Sequence, residues 1–122
     1  MPSLDMSGPF PFNSAGIDRN VPKGINGNYA LVWKDQQDGN YYVAYVGRSS
    51  DVNKRLHEHL NCPDEDWSGV PFFKFSSAAT ELAAYKKECQ NYHDFLSKYL
   101  RNENHPDKPD GAPNETCPVC RR

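Results

Sequence analysis

YVGRSSDVNKRLHEHL, residues 45–60, decides the fold, because the pattern of apolar residues changes its period inside it. Tyr45 and Val46 close a β-forming run and Gly47 follows directly, permitting a tight turn or a close approach of backbone. Ser49, Ser50 and Asp51 then offer side-chain oxygens of the kind that cap a helix N-terminus. Val52, Leu56 and Leu60 recur at every fourth position, the spacing of a stripe buried along one side of a helix. The stretch therefore reads as a strand handing over to a short amphipathic helix that Pro63 stops. On that helix Arg55 and His59 lie roughly 40° apart, at the border of the apolar stripe. Spacing alone favours a solvated helix edge, whereas a site handling phosphate would use both.

The flanking sequence supplies the other elements. NYALVWK, residues 28–34, alternates Tyr29, Leu31 and Trp33 with Ala30 and Val32 as a strand does. DQQDGN carries Asp38-Gly39 as a turn signal, and YYVAYV, residues 41–46, returns as the second strand of a hairpin. NCPDEDWSG, residues 61–69, reads as a loop. VPFFKF, residues 70–75, is a third strand whose Pro71 suits an edge position. A second helix opens after Ser77 or Thr80 with the stripe Leu82, Tyr85, Cys89, Tyr92, Leu96 and Tyr99. The expected fold class is α+β: a small three-stranded, mainly antiparallel sheet flanked by helices, over residues 25–104. Residues 1–24, rich in Pro, Gly, Ser and Asn, read as an irregular arm with Phe10, Phe12 and Val21 as anchors. Residues 105–122 read as a Pro-rich tail.

At 122 residues and a formal charge of −2, the chain is the size of one domain and lacks the basic average of many nucleic-acid binders. The charge is uneven. Lys86, Lys87, Lys98 and Arg101 outnumber Glu88 and Asp94, whereas the tail sets Glu103, Asp107, Asp110 and Glu115 against Lys108, so an acidic tail can mask a mildly basic body. No apolar run approaches the ~20 residues of a membrane span and no signal-peptide pattern opens the chain, so the expectation is a cytoplasmic protein with no membrane partner. In that compartment Cys62, Cys89, Cys117 and Cys120 are not a disulfide framework. Cys117-Pro-Val-Cys120 has the spacing of half a zinc site, with His105, His93, Cys62 and Cys89 as candidates for the remaining ligands; two free thiols are the alternative.

Glu88 precedes Cys89 at the edge of the second helix's stripe, where a carboxylate could hold Mg²⁺ although, taken alone, it is more often a solubilising residue; Glu81 lies on nearly the same line. Tyr29 and Tyr45, taken singly, are packing residues with polar tips. Taken together, Gly27-Asn28-Tyr29, Tyr45-Val46-Gly47, the RLHEH phrase and TELAAYKKE resemble the GIY-YIG nuclease domain in order and spacing, over roughly residues 21–104. Asn28 stands where that family has a branched apolar residue. The resemblance implies a metal-dependent endonuclease hydrolysing phosphodiesters in nucleic acid, DNA before RNA. It implies Tyr29, Tyr45, Arg55, His59 and Glu88 as catalytic residues converging on one concave face of the sheet. One Mg²⁺ or Mn²⁺ would sit on Glu88, with Gly47, Arg48 and Asn104 (in preference to Asn102) at the substrate. Tyr29, Tyr45 and His59 remain open as the general base. The rival readings are a non-catalytic nucleic-acid-binding module of the same fold and a zinc-organised protein-interaction domain.

Overall fold

The computed structural model describes residues 3–97, 99–102, 104–109 and 115–121. Its elements are β1 (Ser7–Pro11), α1 (Ser14–Asn20), β2 (Gly27–Lys34), β3 (Tyr41–Ser49), α2 (Val52–Asn61), β4 (Phe72–Ser77) and α3 (Glu81–Asp94). The class is α+β, as the sequence implies, but the sheet has four strands, in the order β1-β4-β2-β3, all antiparallel.

The fourth strand comes from the stretch expected to be irregular. SGPFP pairs along one side only, with β4, and an edge strand tolerates prolines that a central strand rejects. The same stretch forms α1, capped by the Asn13 side chain on the Gly16 amide at 2.7 Å, and Phe12, Ile17 and Val21 enter the core. As a result β4 is not an edge strand. Pro71 stops short of it and offers its carbonyl to the Phe12 amide at 2.8 Å. The helical stripe read as far as Tyr99 ends earlier, since α3 stops at Asp94 and leaves Leu96 57% exposed.

Alternation along β2 divides the core. Tyr29 and Leu31 face α1 and α2, packing with Ile17, Val52, Leu56 and Phe73. Ala30 and Val32 face the other way, with Val43, Val46 and, from α3, Tyr92. Asn28 shares that second face, and its amide donates to the Ala84 carbonyl of α3 at 2.8 Å. A polar residue at the centre of the first tripeptide thus ties strand to helix.

β3 forms the sheet's other edge. Its backbone is met there by the Arg101 amide on the Ala44 carbonyl at 2.6 Å. The Asn102 carboxamide binds both the amide (3.0 Å) and the carbonyl (2.8 Å) of Val46. No helix among the described residues is long and apolar enough to cross a membrane.

Candidate active site

Register brings the two tripeptides together. Tyr29 on β2 lies directly opposite Gly47 on β3, and a Cβ at Gly47 would sit 2.5 Å from the Tyr29 phenol carbon and oxygen. Gly47 is therefore required by a side chain lying over it. It is not a turn residue, because β3 runs on to Ser49. Tyr45 stacks on Tyr29 at 6.2 Å between ring centroids, 19° from parallel.

His59 is not at a solvated helix edge. It is 1% exposed, and its Nε2 lies 2.7 Å from the Tyr29 hydroxyl. Its Nδ1 lies 2.8 Å from a carboxylate oxygen of Glu65, which also accepts from the Trp67 indole at 3.1 Å. An ionised carboxylate only accepts, so Nδ1 carries the proton, Nε2 offers its lone pair and Tyr29 donates. Burial lowers the His59 pKa, and Glu65 restores only part of it. The imidazole is accordingly neutral at neutral pH. Sequence reasoning missed Glu65 and Trp67, which follow the helix in a loop with no periodicity to mark them.

Burial raises the Tyr29 pKa well above that of a free phenol and raises that of Tyr45 too, while the Arg55 charge beside both opposes the shift. Arg55 keeps a side chain 40% exposed, with Glu58 at 3.9 Å. Glu88, 9% exposed, is paired with the Arg48 guanidinium, which lies 5.2 Å from the Tyr85 ring centre. Burial raises the Glu88 pKa, and Arg48 only partly counters it.

The expected convergence on one face of the sheet is not found. Arg55 belongs to α2 and Glu88 to α3, and these helices cover opposite faces. At the outer edge of β3 only two of the five, Tyr45 and Glu88, line a common cleft; Tyr29 and His59 are buried against Tyr45, and Arg55 is not among the residues that line it. The cleft, of about 580 Å³, is also lined by Glu65, Trp67, Asn104 and Asp107. Glu88 acts on the Tyr29 and Tyr45 phenols from across that edge. Asn104 reaches the cleft. Asn102 lines it too, but its carboxamide is bound to Val46.

The cleft is acidic. Asp64, Glu65, Asp66, Glu88 and Asp107 face Arg101 and His105 across it. Glu88, already paired with Arg48, also feels the charge of Asp107, which adds to the rise of its pKa. A polyanion would be repelled from the same wall in the absence of a cation.

At the far end of α3, ligand atoms of His93, His105, Cys117 and Cys120 lie within 4.8 Å of one another. Cys89 and Cys62 are outside this group. Cys89 packs behind Cys117, its thiol pushed up to about 12, chiefly by burial.

No family model, curated protein or solved structure matches the chain.

Proposed function

We propose that the protein is a metal-dependent phosphodiester hydrolase acting on nucleic acid, DNA in the first place, with Tyr29, Tyr45, Arg55, His59 and Glu88 at its active site. One observation carries this reading: the chain Glu65–His59–Tyr29 ends on a phenol whose proton is directed at the free nitrogen of a neutral imidazole. Glu65 fixes the tautomer and His59 takes the Tyr29 proton. The transfer is coupled to attack: Tyr29 takes a proton from the water as it passes its own to His59, so no free phenolate has to form where burial disfavours it, and the Arg55 charge steadies the negative charge that develops. Tyr45, half-buried and lining the cleft, orients that water or the phosphate.

Arg55, whose head is the exposed part of the set, presents a planar charged fork to the non-bridging oxygens. A divalent ion held by Glu88 would supply Lewis acidity at the phosphate and at the leaving oxygen. Arg48 holds the Glu88 carboxylate in place, and Gly47 keeps Tyr29 in place.

A second reading, a binding module that does not cut, is favoured by the burial of Tyr29, which is 1% exposed and must be uncovered before it can meet a water. One experiment separates the two: incubation with plasmid, linear, branched and single-stranded DNA, and with RNA, with and without Mg²⁺ or Mn²⁺. Cleavage that needs the metal and is lost in Tyr29→Phe supports the hydrolase. Metal-independent binding without cleavage of any substrate supports the module.

A further inference from the structure

We propose that His93, His105, Cys117 and Cys120 form a closed, four-ligand zinc site that clamps the C-terminal tail to the end of α3. Metal–ligand bonds of about 2.0–2.3 Å give a tetrahedron with edges of roughly 3.3–3.8 Å. The Cys120 sulfur and the His105 Nε2 are already 3.3 Å apart, and all four ligand atoms fall within 4.8 Å. Two thiolates and two imidazoles in such a cluster are a donor set characteristic of zinc.

Three features around the cluster have no other purpose evident in the fold. His105 turns its Nδ1 toward the carbonyl of Pro106 at 3.0 Å, which leaves the Nε2 lone pair directed at Cys120. Histidines that bind metals hold their second nitrogen in this way. The Val119 amide points at the Cys117 sulfur at 3.4 Å and the Arg121 amide closes the turn on the Cys117 carbonyl at 2.9 Å, so the Cys-x-x-Cys loop is curled around its first sulfur. Last, the Nε2 of His93 is buried without a hydrogen-bond partner. His93 contributes one of the four clustered ligand atoms, and a buried imidazole nitrogen is costly unless something binds it.

Four protein ligands leave no open position, which makes the site structural rather than catalytic. Two thiolates cancel the charge of the ion, so the clamp adds no net charge beside the acidic cleft. Its effect is positional. His105 is followed by Pro106 and Asp107, which line the cleft with Glu88. Fixing His105 to α3 fixes that wall to the helix that carries Glu88.

The full chain, expressed in zinc-replete medium and purified under reducing conditions, is expected to contain about one zinc per molecule by elemental mass spectrometry. After metal removal, added Co²⁺ should give the intense visible bands of a tetrahedral ion and a near-ultraviolet thiolate-to-metal band. Cys120→Ala, at an exposed position, and His105→Ala should each lose most of the zinc while keeping the far-ultraviolet circular dichroism of the parent. Cys62→Ala should retain it. No zinc together with no tetrahedral cobalt spectrum overturns the proposal, and so does zinc retained in both ligand variants. None of these readouts involves cleavage, so the site stands or falls independently of the hydrolase reading.

Discussion

At the scale of single residues, the consequential group is Glu65, because it decides which nitrogen of His59 carries the proton. Glu65→Gln keeps the shape but can donate to Nδ1, which puts the proton on Nε2 and leaves Tyr29 nowhere to send its own. Cleavage is expected to fall on the order of 10²–10⁴-fold with substrate affinity little changed, read from single-turnover rates at saturating DNA. The pH profile follows from the same residue. Burial holds the folded pKa of His59 below 6.5, so cleavage is flat near neutrality and drops as the pH falls through that lowered value, where the imidazolium can accept nothing. Stability follows the same sign. The contribution of neutral His59 is complete above the unfolded value of about 6.5 and is lost as the pH falls from there through the folded pKa, because the unfolded chain takes up the proton first. A thermal-unfolding midpoint that did not decline over that interval in the parent relative to His59→Gln would contradict the assignment. Gly47→Ala tests the neighbouring contact. A methyl 2.5 Å from the Tyr29 phenol must displace it, costing about 1–3 kcal/mol in chemical denaturation and more in cleavage than Gly69→Ala, where added bulk meets nothing.

At the scale of elements, what the sequence made legible were the parts governed by local period. β2, β3 and α2 were readable because alternation, turn and cap signals agree over residues 28–60. β1 was hidden because its prolines and glycine argue against any strand that pairs on both sides, and only the tertiary pairing with β4 makes it one. Once β1 is present, the proline that suggested an edge for β4 loses its meaning. The face of the sheet on which Glu88 lies was hidden for a related reason. Periodicity placed Glu88 beside the apolar stripe of its helix but could not say which face of the sheet that helix would cover. The pairing at the β3 edge was also invisible, since Asn102 reads as a loop residue until its carboxamide is seen spanning the Val46 backbone. Asn102→Ala leaves that part-buried amide and carbonyl without protein partners, for an expected loss of about 1–3 kcal/mol. Faster amide exchange at Val46 than at Ala30 would locate the effect at this edge. Asn104→Ala, at an exposed residue lining the cleft, should leave stability unchanged.

For the whole molecule, the cleft poses an electrostatic problem that the proposed chemistry has to solve. Five carboxylates line the cleft, so on the proposed reading a divalent cation has to arrive with a phosphate or before it. Glu88→Gln is the sharpest probe, because glutamine can still accept from Arg48 whereas alanine strands that guanidinium. Both variants should lose metal-dependent cleavage, but Glu88→Gln should keep the parental unfolding midpoint more closely. Arg55→Lys keeps the charge and loses the planar fork, so turnover should drop on the order of 10²–10³-fold at saturating DNA. Lys86→Ala, on the outward side of α3, should leave turnover alone and at most reduce the slope of log affinity against log salt by about one contact. The order of effects matters more than any one magnitude: Glu88 variants lowest, Arg55→Lys next, Lys86→Ala near parental. If folded Glu88→Gln and Arg55→Lys both cut at the parental rate, the β3 edge is not where phosphodiesters are hydrolysed, and the relay beneath it serves packing alone.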